Sequence, residues 1–183
     1  MVGCRKMVGH PLEQREGRMQ FSVGDKVVHP SHGPGQVTGV EQKEFIDGKR
    51  TYYVLEILDR DLTVYVPKSA ADQIGMRPAM SQARLGRVLD ALRGRPRLLP
   101  EDYKERQETI WEKLKTGRSM QIAEVVRDLT WHGRLDHLTR RDADLLARGK
   151  TRLAAEMALV SGTEVAEADR TIESTLAAAV SNA

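Results

Sequence analysis

Apolar and polar positions change their rhythm once along this chain, near residue 80. Before that point, short β-branched and aromatic runs carry polar residues between them: "KVVH", "GQVTGVEQKEF", "TYYVLEI" and "LTVYVP". Alternation of this kind sends successive side chains to opposite faces of an extended strand. Tight turns separate the runs. Asp47-Gly48 suits a type I′ hairpin, whose two central residues need positive φ, and "LDRDLT" offers a second polar turn. Four or five strands within about 55 residues leave no room for an intervening helix. Residues 19–80 are therefore expected to form a small SH3-like or Tudor-like β barrel.

Beyond residue 80 the apolar spacing becomes helical. Ser81 can cap a helix carrying Leu85, Val88, Leu89 and Leu92, which ends at Gly94 ahead of Pro96. A second helix is expected from about Asp102 to Lys115, with Tyr103, Ile110, Trp111 and Leu114 near one face and Gly117 as its stop. Ser119 opens a third, carrying Ile122, Val125, Val126 and Leu129 to near Gly133. Thr139 caps a fourth, with Asp142 placed for a capping box and Leu145, Leu146, Leu153 and Met157 inward. Thr163 caps a fifth, with Val165, Ile172 and Leu176. Residues 81–183 thus read as an all-α bundle of about five helices, and the fold class as α+β. Residues 1–18 show neither periodicity nor an apolar stretch, and are expected to be a disordered leader or tag rather than a secretory signal.

Composition narrows the picture further. No run approaches the ~18 apolar residues of a membrane helix, and the lone Cys4 cannot form an internal disulfide, which agrees with a reducing cytoplasm. The net charge of +3 is unevenly spread. Residues 19–80 hold 7 Lys/Arg against 8 Asp/Glu, residues 81–118 hold 10 against 6, and residues 161–183 hold 1 against 4. Positive charge gathers just after the change of rhythm. It serves either as a phosphate-binding footprint or as a solvated helix face with i,i+4 pairs.

Catalytic chemistry is hard to assemble. His29 and His32 in "DKVVHPSHGPGQV" have H-x-x-H spacing, but Pro30 and Pro34 exclude the helix that would bring both onto one face. With Asp25 as the nearest carboxylate, the stretch offers at most three ligands where structural zinc needs four. Glycine and proline explain it better as a turn between the first two strands. His132 and His137 flank Gly133 in a helix connection and are expected to face solvent, while Asp59 and Asp61 look like solubility residues in a turn. No G-x-S-x-G, phosphate-binding loop or H-E-x-x-H is present. The chain is expected not to be an enzyme, and to need no cofactor or metal.

Two long motifs resemble a known family. "FSVGDKVVHPSHGPGQVTGVE", followed by "YYVLEI" and "LTVYVP", is similar to the RNA-polymerase-interacting domain of the CarD/CdnL family, which transcription–repair coupling factors share. "WEKLKTGRSMQIAEVVRDL" is similar to the family's helical core, and the likeness runs over about residues 19 to 180. The resemblance implies a bacterial transcription regulator without catalytic activity. Its β domain would dock on the RNA polymerase β subunit. Its helical domain would contact promoter DNA at the upstream edge of the −10 region and stabilise the open complex.

Carried over by position, the resemblance places the polymerase contact on Lys43, Phe45 and Tyr65, where an exposed strand edge suits β-augmentation. Barrel packing is the other reading of Phe45 and Tyr65. Tyr65 also stands where the family often has arginine. The family's DNA wedge, a tryptophan that props open a minor groove, falls on Tyr103, which core packing would claim instead. Arg106 keeps a family basic position, whereas Glu105 and Glu108 replace basic residues. Arg93, Arg95 and Arg97 surround "RGRP", which is either an AT-hook core or a basic linker. Lys104, Lys113 and Lys115 complete the candidate phosphate contacts. The expected partners are the polymerase β subunit and promoter DNA, with no membrane, no small-molecule substrate and a monomeric protein. The alternative is a polymerase-binding adaptor whose helices grip another protein.

Overall fold

β-branched and aromatic residues dictate the first half. In a computed structural model describing residues 19–46, 48–58 and 62–181, five strands form one antiparallel sheet. They are β1 (Lys26–His29), β2 (Gly33–Phe45), β3 (Gly48–Ile57), β4 (Leu62–Pro67) and β5 (Arg77–Pro78), in the order β4-β3-β2-β1-β5. Period-two alternation along β3 buries Tyr53, Leu55 and Ile57 against Val27, Val37 and Val66. A Cβ on Gly35 would collide with the backbone carbonyl of Glu56 on β3. That glycine therefore serves close strand approach, whereas Gly33, at φ +93°, supplies the backbone freedom of the turn. Asp47 of the β2–β3 hairpin, and Asp59 and Asp61 of the β3–β4 turn, lie outside the described residues, as do Cys4 and residues 1–18.

The second half is five helices: α1 (Gln82–Arg93), α2 (Tyr103–Lys115), α3 (Ser119–Leu135), α4 (Arg140–Ser161) and α5 (Val165–Ser181). The caps have the expected chemistry. Ser81 Oγ accepts from the Arg84 N–H, Asp102 Oδ1 accepts from the N–H groups of Lys104 and Glu105, and Thr139 with Asp142 forms a full capping box. Thr163 does not cap α5. The helix starts at Val165, and the Glu164 carbonyl accepts its first bonds. The inward stripes meet in one core of Val88, Leu92, Ile110, Leu114, Leu129, Leu153 and Ile172. Tyr103 and Trp111 are exposed rather than inward, because in α2 the i, i+4 pair Ile110 and Leu114 alone supplies the apolar stripe. His132 is half-buried, with Nε2 enclosed and unpartnered, and so does not face solvent as expected. None of these helices is long and apolar enough to cross a membrane.

Glu156 joins the two halves. Its carboxylate receives both Arg77 Nη1 and Nη2 at 2.8 Å, and also the Met80 N–H at 2.9 Å. A buried carboxylate held by a bidentate guanidinium has its charge and lone pairs satisfied, so α4 is fixed against the last strand.

Candidate functional site

Pairing register decides what one face of the sheet displays. Opposite residues on neighbouring strands share a face: Lys43 pairs with Arg50, Glu41 with Tyr52, and Val54 with Tyr65. Lys43, Phe45, Arg50, Tyr52 and Tyr65 therefore project together, away from the core. Lys43 Nζ lies 3.5 Å from the Tyr65 ring centroid and 5.9 Å from that of Tyr52. The Arg50 guanidinium sits 5.5 Å from the Phe45 ring, and the Phe45 and Tyr52 centroids are 6.2 Å apart. Phe45 and Tyr65 stay 44% and 43% exposed, so neither is barrel core. Cation–π contacts pre-order the lysine without neutralising it. Tyr65 holds Lys43 through the face of its ring. Tyr52 was missed, although alternation through "KRTYYVLEI" is the signal that places it here. The half of β2 from Gly39 to Phe45 pairs only with β3 among the described residues, leaving an open edge beside this face.

The turn preceding β2 is built on a histidine. His29 Nδ1 accepts the N–H groups of Ser31 and His32, each at 3.2 Å, which puts the ring proton on Nε2. No group of three or more potential metal ligands comes together among the described residues. Burial, and then the neighbouring His32, hold the His29 pKa below the ordinary imidazole value of 6.5. The unfolded chain therefore binds this proton first, and stability falls as pH drops below about 6.5. Thermal melts should show a lower midpoint at about pH 5.5 than at about pH 7.5. His29→Asn, whose side-chain oxygen can accept the same N–H groups, should flatten that difference. An unchanged slope in the variant would discard His29 as its source.

On the helical side, Arg93, Arg95 and Arg97 are exposed along the connector between α1 and α2. Their course is pinned from within. The Arg97 N–H donates to buried Asp128, whose carboxylate also receives Arg127. Arg127 in turn donates to the Ala91 carbonyl at the end of α1. Tyr103 opens α2 at 49% exposed, with the Lys104 ammonium 5.9 Å from its ring centroid. Leu98 is 91% exposed on the connector, and nothing in the hydrophobic pattern singles it out. Lys113 is half-buried, with Glu124 at 3.9 Å, which reduces the charge it can offer a phosphate.

Arg106 needs correction. It is 4% exposed and cannot reach a phosphate. Nη2 donates to fully buried Asp142 at 2.9 Å, while Nη1 donates to the Pro100 and Glu101 carbonyls at 2.9 and 3.1 Å. A guanidinium taken out of water needs a paired carboxylate, and the α4 capping box supplies it. Arg106 thus anchors the connector from beneath. Burial of Asp142 works to raise its pKa, but the hydrogen bonds from Arg106 and Thr139 and the Arg106 charge outweigh this, and the pKa lies below the ordinary carboxylate value.

Residues 21–80 match the model of the CarD-like/TRCF RID domain, and residues 87–173 match that of the CarD C-terminal domain. The chain belongs to the CarD family. A Bacillus subtilis (strain 168) protein named "Putative transcription factor YdeB" is 31% identical over 144 residues, covering 78% of this chain and 93% of that protein. In this CarD-family chain the first match spans the face around Tyr52, and the second spans α1 from Arg87 onward, the connector, α2 to α4, and α5 as far as Glu173.

Proposed function

We propose that this protein regulates transcription by docking its sheet on the RNA polymerase β subunit and presenting its helical half to promoter DNA. There it stabilises the open complex at the upstream edge of the −10 region. One observation carries this reading: a single chain holds both CarD domains, with an exposed cation–aromatic face on the first and an exposed basic connector leading to an exposed tyrosine on the second. The relative's name supports the same class of function.

Tethering explains how modest DNA contacts suffice. A docked sheet holds the connector near the promoter at an effective concentration in roughly the millimolar range. Preference for the melted complex then shifts the equilibrium about tenfold per 1.4 kcal/mol. Arg93, Arg95, Arg97 and Lys104 would contact phosphates, and Tyr103 would stack at the fork.

The competing reading, an adaptor whose helices bind another protein, draws support from Glu105 and Glu108, both exposed on α2 and repulsive to phosphate. Promoter-complex lifetime on purified components separates the two. Tyr103→Ala should shorten it by roughly tenfold, the scale of one lost base stack, with no change in melting temperature. An unaltered lifetime would favour the adaptor.

A further inference from the structure

Behind the arginine-rich connector lies a cavity of about 540 Å³, walled by the end of α1, the middle of α3 and the end of α5. Its volume is that of a small-molecule site rather than a packing gap. Leu92 and Leu176 make it apolar, and half-buried Trp131 forms one wall. Arg93 and Arg95 line it too, both exposed, and Arg95 has no hydrogen bond or ion pair among the described residues. Thr130 is in the same lining, but its Oγ1 is enclosed and presents no surface to the space. Arg127 also lines the space, but its guanidinium is already engaged by Ala91 and Asp128.

We infer that this cavity receives one unstacked nucleobase of melted promoter DNA. Trp131 is the stacking platform, and Arg93 and Arg95 meet the flanking phosphates. Arg93 is ion-paired with Asp90 at 3.3 Å at the surface, whereas Arg95 is unengaged. An aromatic wall beside an available arginine is how proteins hold single-stranded nucleic acid, and a base already out of the duplex costs least to capture. The inference rests on the DNA-binding reading above but adds a second point of contact, separate from Tyr103.

The sequence has two tryptophans, so a full-length Trp111→Phe protein reports on Trp131 alone. It is titrated with a short mixed-sequence single-stranded oligonucleotide, the same sequence as duplex, and deoxyadenosine monophosphate. Anisotropy of labelled bubble DNA is followed in parallel. Saturable quenching by the single strand, well below the concentrations at which duplex or mononucleotide act, is the expected result. Arg95→Ala should weaken that quenching roughly five- to tenfold. Bubble binding without quenching, or quenching indifferent to Arg95→Ala, overturns the pocket and leaves the DNA reading intact. Absence of binding in every DNA arm overturns both. Equal quenching by the mononucleotide overturns promoter DNA as the source and makes this a free-nucleotide site.

Discussion

Asp142→Ala is expected to destabilise the protein by about 3–5 kcal/mol, the cost of stranding a buried charge. Arg106 would keep its links to the Pro100 and Glu101 carbonyls but lose its only ion-pair partner among the described residues. The α4 capping box would go as well, since Asp142 supplies its N3 side chain. Denaturant melts should place this variant far below Asp144→Ala, a change at an exposed neighbour expected to stay within about 0.5 kcal/mol of the parent. Equal midpoints for the two would refute the account of the pair. The same carboxylate sets an acid limit. Its pKa is lowered in the fold, so its contribution is complete above the ordinary carboxylate value and is lost as pH falls below it. Because Arg106 also grips the connector, Asp142→Ala should loosen the arginine-rich segment even where the protein remains folded.

Phe45→Ala should weaken binding of the full-length protein to the isolated polymerase β subunit by roughly thirtyfold, about 2 kcal/mol, if this face is the docking surface. An exposed aromatic ordered by neighbouring cations is the kind of anchor that carries interface energy, because little side-chain freedom remains to be lost on docking. Its loss costs the fold little, since Phe45 is not part of the sheet's buried core. Lys49→Ala is the matched control. Lys49 pairs with Glu44, on the opposite face of the same hairpin, and its removal should leave affinity within a fewfold. Comparable losses from the two substitutions, or none from Phe45→Ala, would exclude the face around Tyr52 as the contact.

Elements whose cause is local were legible from the residues. Ser81, Asp102 and Thr139 announced helix starts because a cap needs only a short polar side chain and the next three amides. The β3 alternation announced its buried face because the pleat has period two. The turn at His29 and His32 was read from its prolines and glycines, although not the Nδ1 acceptor that closes it. Thr163 misled by one residue, since boundaries depend on which carbonyl accepts first and residue type constrains that weakly.

The candidate sites divide along the same line. Alternation alone could have grouped Lys43, Phe45 and Tyr52, but only the pairing of β3 with β4 brings Tyr65 over Lys43. Arg106 was placed among the phosphate contacts by the resemblance alone, which carries over residue type and not burial. Its burial depends on Asp142, 36 positions away, and no local pattern encodes that partner. Trp131, Thr130 and Arg95 become one cavity only when α5 closes over α1 and α3. Short-range sterics and hydrogen bonding are written into neighbouring residues, which is why strands, helices and family could be read from them. Desolvation and through-space charge pairing act between distant segments, so which cations face water and which hold the frame emerges only when those segments pack.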